Sequence, residues 1–445
     1  MPTPPVVDVA DEAPAPGAEV FAEGQVLEVR LTLAAADLLE LDEHGDLEEY
    51  VSAGVQLTSA GGAPVQVPQI GMRHKGNWTL HHCWDAFGGV RSYEGECAKL
   101  SIKLDFAEYD PEARFDGLKH LNLHASTGDG SRLRELLAYR AFRDFGVDAP
   151  RAIPARVYVN DQPRGLYIAV EDVDGRYTRA HFPEGPDGNL YKEVWPNASF
   201  QDAEFALALQ TNELLGDVSD MRAFAEAVSG STLETFEAEV EPYLDLDVLL
   251  RYIAVDRALR NWDGITSFYE PRTPHNFYWY HDDGPDPRFR LIPWDMDDTY
   301  PSFDPYIHPE PPVSAPPIPD LNVRPAHCEP RPIWSADGSA GYMTPGRCDP
   351  LLDALVLRHW GRVTELGGEL LAGPFAPAHQ SALADAWAAT IAPIVAEDPV
   401  LDVDGWHGAV TELHAILEDA AAGFEGFLEE GLLDEPADSP SAAEE

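Results

Sequence analysis

Cations are scarce in this chain of 445 residues, where 30 Lys and Arg face 78 Asp and Glu for a net charge of −48. A polyanion of that strength repels nucleic acid and anionic lipid surfaces, so neither is expected as the main partner. Long apolar runs are also missing. No uncharged apolar stretch approaches the roughly 18 residues needed to span a bilayer as a helix, so no transmembrane segment is expected in this sequence. Cysteine is limited to two local pairs, Cys83 with Cys97 and Cys328 with Cys348. Neither pair has CxxC zinc spacing, and no His pair accompanies them. Two disulfides in an oxidising compartment are favoured, with four reduced thiols as the alternative. Met1 is followed by a Pro- and acid-rich stretch, not by the basic start and apolar core of an export signal. The expectation is an extracytoplasmic protein, secreted or in the cell envelope, whose signal is not in this sequence; a cytosolic chain is the alternative.

What remains is enough to fold. Hydrophobic residues make up 44% and aromatics 10%, which supports a real core and excludes wholesale disorder; the length suits two or three domain-sized units. The charge is unevenly placed. Between Gly71 and Arg179 there are 16 basic and 16 acidic side chains, so more than half of the cations lie in about a quarter of the chain. An anionic ligand belongs there, if there is one.

Residues 1–24 and 431–445 are Pro- and acid-rich and read as disordered ends. Between them, 25–200 is mainly β, 201–300 carries helices and a hairpin, 301–350 is an irregular Pro-rich insert, and 351–430 is helical. Strand-like alternation occurs at 26–33, 66–75 and 98–106. Helices are predicted at 34–39, at 131–145 (Ser131 as N-cap, Gly146 beyond its end) and at 246–262. Hairpins are predicted at 156–171 and 276–292. Strands, then helices, then a hairpin define an α+β class with mixed or antiparallel sheets packed against helices.

The strongest chemical signal is Pro293-Trp-Asp-Met-Asp-Asp298. In an extended chain Asp295 and Asp297 point to one side, and crowded carboxylates repel unless a cation or proton is shared. Asp263, in Asn261-Trp-Asp-Gly264, falls at the end of an apolar helix, where the dipole disfavours a carboxylate; metal binding or proton acceptance competes with a simple turn. Asp256 is expected to pair with Arg260, and Asn276 offers an amide oxygen. In Cys97–Phe106, Leu100, Ile102 and Leu104 face a core, while Lys99 and Lys103 share the other side, which suits either a phosphate or a solvated strand face. Gly128-Asp-Gly-Ser131 with Arg132 and Arg134 offers backbone N–H groups at a helix start, but not the P-loop spacing. His120 and His124 are four apart on a strand-like segment and are not expected to form a zinc pair.

In order and spacing, several segments resemble the CotH kinase family, the atypical kinases first associated with bacterial spore coats. They are Gly71-Met-Arg-His-Lys-Gly-Asn-Trp78, Lys99–Phe106, Ser131–Tyr139, Val157–Tyr167, Tyr191-Lys-Glu193, Asn261-Trp-Asp263, Asn276–Tyr280 and Ile292-Pro-Trp-Asp295. The resemblance implies a distant protein-kinase-like fold over 25–430 that uses ATP and Mg²⁺ (or Mn²⁺) to phosphorylate side chains of an envelope or secreted protein. By the same resemblance Asp263 is the essential catalytic aspartate and Asp295 binds metal; Asp263 and the amide oxygen of Asn276 are expected to share that metal. Lys99, Lys103 and Arg134 take the nucleotide. Glu135 stands where the family is expected to have Asn, and the insert between Cys83 and Cys97 lengthens the loop before the lysine strand. Two other readings are a non-catalytic surface or adhesion protein on the same scaffold and carboxylates that hold calcium for structure alone.

Overall fold

A computed structural model describes residues 15–59, 61–90, 97–268, 273–302, 320–334 and 341–434. Seven strands close a barrel: β1 (Leu27–Leu33), β2 (Val51–Thr58), β3 (Val65–His74), β4 (Ile102–Asp105), β5 (His120–His124), β6 (Ala152–Val159) and β7 (Gln162–Glu171). They run in the order β1-β2-β3-β4-β5-β7-β6, and a parallel pairing of β1 with β6 completes the ring. Alternation explains the closure. Leu27, Val29, Leu31 and Leu33 point inward from β1 and meet Ile102, Leu104, Leu121 and Leu123 in one apolar core.

Strand β7 is buried on both faces and joins the two halves. Its Tyr167 and Ala169 belong to the barrel core, while Leu166, Ile168 and Val170 belong to a second, larger core. That second core gathers α3 (Arg134–Asp144), α8 (Leu246–Ala258), the long helices α9 (Pro350–Ala372), α10 (Pro377–Val395) and α11 (Val403–Glu430), and a small sheet. The sheet has the order β11-β10-β8, built from β8 (Asn189–Lys192), β10 (Phe277–His281) and β11 (Phe289–Pro293). Between them lie α4 (Gly175–His181), α5 (Asp202–Ala208), α6 (Ser219–Gly230), α7 (Phe236–Glu239) and the short β9 (Ser267–Phe268); α1 (Ala35–His44) and α2 (Trp78–Phe87) decorate the barrel. The α+β class, both predicted hairpins and the helical 351–430 region are present.

Several local expectations differ from what is observed. Residues 15–24, read as part of a disordered end, turn against the barrel and bury Val20 and Phe21; residues 1–14 lie outside the described ones. Within the Pro-rich 301–350 stretch, Arg331–Trp334 and Gly341–Pro345 pair as antiparallel strands. Helix α3 starts at Arg134, not Ser131. Asp129 accepts from the backbone N–H of Ser131 (2.8 Å) and of Arg134 (2.9 Å), so this carboxylate takes the amides that had suggested a phosphate cradle. Helix α8 ends at Ala258, five residues before Asp263, which removes the dipole argument for that aspartate.

Candidate functional site

The seam between the two cores is built by strand alternation. In β5 the apolar Leu121 and Leu123 turn into the barrel, which forces His120, Asn122 and His124 to the other side. Asn122 lies opposite Lys103 of the neighbouring β4. Lys75 follows the end of β3, and Asp172 and Asp174 follow the end of β7. Opposite them β10 and β11 present Tyr278 and lead to Trp294 and Asp295.

Asp295 does not continue the strand. Its φ of 55° places it in the left-handed region, and Met296–Asp298 form a 3₁₀ turn, so the extended geometry expected for Asp295 and Asp297 is not adopted. The turn packs against α3, whose Tyr139 hydroxyl accepts from the Asp295 N–H at 3.1 Å. Carboxylates accumulate here. Burial, followed by repulsion from Asp295, Asp298, Glu135 and Asp129, holds the Asp297 carboxyl well above the usual carboxylate range. Asp298 is pushed up to about 6, by burial first and Asp295 next.

Lys75 faces this cluster. Its Nζ lies 2.7 Å from Nε2 of His124, whose Nδ1 lies 2.7 Å from Oε1 of Glu135. A neutral imidazole protonated at Nδ1 satisfies both contacts, donating to Glu135 and accepting from Lys75. The ammonium also sits 4.8 Å from the centre of the Trp294 ring. Burial pulls the Lys75 pKa down to about 8, against the attraction of Asp295. His124, Glu135 and Asp295 each offer a ligand atom within 4.8 Å of the others. Oε2 of Glu135 is buried without a hydrogen-bond partner, and Asp295 repels the Asp297 and Asp298 carboxyls, against which Arg134 partly compensates Asp298.

The residues singled out in the sequence divide into three groups. Asp263 and Asn276 meet, with Nδ2 of Asn276 donating to Oδ2 of Asp263 at 2.7 Å, so the amide presents its nitrogen, not its oxygen, to that carboxylate. The Asn276 carbonyl in turn accepts from the Trp294 N–H at 3.0 Å, which ties Asp263 to the residue before Asp295. Lys103 bonds both Asp172 oxygens, at 3.0 and 3.1 Å, and Arg134 lies 3.5 Å from Asp129 beside the carboxylate turn. Lys99 departs from expectation. It precedes β4 and is buried against Asp398 at 2.6 Å, so it does not share the exposed face of Lys103. The expected Asp256–Arg260 pair is also absent. Asp256 accepts from Asn261 at 2.7 Å, while Arg260 reaches Asp419 at 2.8 Å.

A cavity of about 480 Å³ opens along the seam. Lys103, Arg114, Lys119, His120, Arg176 and Arg179 line it, against four carboxylates, Asp172, Asp174, Asp187 and Glu213. His120 carries charge there. Burial opposes its protonation, but hydrogen bonds to Asp105, Asp172 and Asp174 raise its pKa to about 10. The cavity is therefore net positive in a protein of net charge −48. Tyr278 lines it and stands edge-on to Trp294 at 5.7 Å, which connects the cavity to the Asp295 turn.

Sequence reading left Lys75, His124 and Glu135 without a role. Lys75 lies in the Gly71–Trp78 segment, and the period-two alternation of His120-Leu-Asn-Leu-His124 already places both histidines on one strand face. The fold gives them separate partners. His120 joins Asp172 and Asp174; His124 joins Glu135 and Asp295.

A barrel and a helical half thus meet along a seam of cations and clustered carboxylates, and sequence comparison supplies the family. The CotH kinase protein family matches residues 72–413, and the chain belongs to it. The inner spore coat protein H of Bacillus subtilis (strain 168) is 27% identical over 212 residues, which cover 45% of this chain and 55% of that protein. The chain thus spans about half the length of this curated relative. Both cysteine pairs form disulfides, Cys83–Cys97 and Cys328–Cys348, and no described helix is long and apolar enough to cross a membrane.

Proposed function

We propose that this protein is a metal-dependent kinase with a distant protein-kinase-like fold, which transfers the γ-phosphate of ATP to side chains of an envelope or secreted protein. The observation that carries the reading is the net-positive cavity whose Tyr278 wall packs on Trp294, next to the carboxylate-rich Asp295 turn, a pairing that suits phosphoryl transfer. ATP and its divalent ion would supply the transferable phosphoryl group. Lys75 and Lys103 hold positive charge on the barrel side, where negative phosphate oxygens need it. Asp295 and Glu135 hold the cation side. Asp263, oriented by the Asn276 amide, is the carboxylate suited to accept the proton of an attacking hydroxyl. The two disulfides support an extracytoplasmic setting.

The test is incubation with labelled ATP and Mg²⁺ or Mn²⁺, with casein and the protein itself as acceptors. Wild type is expected to transfer label, and Asp295→Asn and Asp263→Asn to lose transfer while keeping a cooperative melt. Unchanged labelling in Asp295→Asn would end this assignment.

A further inference from the structure

We propose that His124 and Glu135 are positioning residues for Lys75: the Glu135 carboxylate fixes the His124 ring as its Nδ1–H tautomer, and the bare Nε2 of that ring holds the Lys75 ammonium without cancelling its charge. The proposal rests on the kinase reading only for the use made of Lys75, contact with phosphate oxygens. The hydrogen-bonded chain itself is a separate claim.

Three lysines of the β3–β4 region are held in two different ways. Lys99 lies 2.6 Å from Asp398, and Lys103 bonds both oxygens of Asp172 at 3.0 and 3.1 Å. Each of those carboxylates fixes an ammonium but also offsets its charge at close range. Lys75 Nζ lies instead 2.7 Å from Nε2 of His124. An ammonium only donates, so the ring must present an unprotonated Nε2 to it. On the other side of the ring, Nδ1 lies 2.7 Å from Oε1 of Glu135, and an ionised carboxylate only accepts. The two contacts together select one neutral tautomer. An amide at position 135 can offer the ring either its oxygen or its nitrogen, so it does not make that selection.

Each link of the chain is anchored. The Lys75 N–H donates to the Ser101 carbonyl at 3.0 Å, and the Ser101 hydroxyl accepts at 2.9 Å from the N–H of Ala125, the residue after His124. One serine thus fixes the backbone at both ends of the Lys75–His124 contact. Trp294 braces the side chains. Its ring stands edge-on to His124, with centroids 5.5 Å apart, and lies 4.8 Å from Lys75 Nζ. His124 and Glu135 are both buried, so water competes little for their hydrogen bonds.

A lysine that meets an anion must give up rotamer freedom, and holding it beforehand removes that cost from the binding step. A neutral holder leaves the ammonium charge available to the anion, while Glu135 balances it from the far side of the ring. This is the physical advantage of an interposed imidazole over a direct carboxylate partner.

Two measurements test the proposal. Long-range ¹H–¹⁵N spectra of the full chain, labelled with ¹⁵N-histidine and recorded at neutral pH without nucleotide, report the ring; His124→Gln assigns its signals. Wild type is expected to show a protonated Nδ1 and a hydrogen-bonded, unprotonated Nε2. Lys75→Met should move the Nε2 resonance and leave Nδ1–H in place, and Glu135→Met should populate the Nε2–H tautomer. A doubly protonated ring or an Nε2–H ring in wild type, an Nε2 signal unmoved by Lys75→Met, or a ring unchanged by Glu135→Met each overturns the proposal, whether or not the protein transfers phosphate.

The second measurement is a double-variant cycle in the labelled-ATP assay. Lys75→Met is expected to lower kcat/KM by about a hundred-fold, and His124→Phe by about ten-fold. In the Lys75→Met background His124→Phe should cost nothing further, because the ring acts through the ammonium. His124→Gln, whose amide oxygen can still accept from Lys75, should recover most of the loss. An equal cost of His124→Phe with and without Lys75 would mark a merely structural residue and overturn the proposal. Should His124→Phe fail to melt cooperatively, Glu135→Met takes its place in the cycle, with the same collapse expected and an equal cost counting against it. If wild type transfers no label, the kinase reading fails by itself and the spectra decide the positioning claim.

Discussion

Lys99 Nζ lies 2.6 Å from Asp398 Oδ2, a contact between residues 299 positions apart that joins the approach to β4 with the loop between α10 and α11. Both side chains are almost fully buried. The same aspartate accepts from the Leu166 N–H on β7 at 2.8 Å and from Val400 and Leu401 in its own loop. One carboxylate therefore holds the barrel, the double-faced strand and the helical half together. Removing one partner strands the other charge in the interior. Lys99→Met and Asp398→Ala are each expected to lose about 3–5 kcal/mol in urea unfolding, and the double variant to lose less than their sum.

Asp295 is exposed, adopts a left-handed backbone conformation that Asn tolerates, and adds repulsion to Asp297 and Asp298. Asp295→Asn is therefore expected to keep or raise the melting temperature in the absence of metal. It should also lower the Asp298 carboxyl pKa from about 6 toward the ordinary carboxylate range. A ¹³C carboxyl titration checks the second point; an unmoved Asp298 would show that burial alone sets its value.

His120 has a folded-state pKa of about 10, above the ordinary 6.5. A raised pKa means that the folded state holds the proton more tightly. Its contribution is complete below about pH 6.5 and is lost as pH rises through about 10. His120→Gln is expected to cost about 3 kcal/mol at pH 6, the scale of breaking a buried charge pair, with the difference from wild type shrinking toward pH 10. Thermal melts of both proteins across that range measure it.

Asp256 shows the opposite case for stability. It is buried, only its Oδ1 accepts from Asn261, and its Oδ2 takes no hydrogen bond; burial pushes its pKa up to about 7. Between the ordinary carboxylate pKa and 7 the unfolded chain releases a proton that the folded chain keeps. This group therefore lowers stability as pH climbs through that window, and its penalty is complete above it. Asp256→Asn should remove the slope and be relatively more stable than wild type at pH 8 than at pH 4. Parallel slopes in the two proteins would contradict the assignment.

Much of the architecture was legible because it depends on local periodicity. Alternation in Leu27–Leu33 and in His120-Leu-Asn-Leu-His124, turn residues in the two hairpins, and close cysteine spacing all act over a few residues. The α+β class follows from the order of those elements. The region 71–179, where half the cations lie, contributes Lys75, Lys103, His120 and His124 to the seam, so charge distribution located one wall of the site.

The sequence by itself determined which residue types were available: a short supply of cations, two local cysteine pairs, a Trp-Asp-Met-Asp-Asp turn, and strands with one apolar face. Only the tertiary structure decided which cation met which acid. Lys99 and Lys103 share a phase in the sequence, yet one is taken into the interior by an aspartate 299 positions away while the other stays on the seam. Lys75, His124 and Glu135 come from a strand end, a strand and a helix, and they meet only when the barrel closes against α3. Periodicity is set by bonds along the chain and can be read from neighbours. Charge pairing is set by distance and burial, which exist only once the two cores have packed.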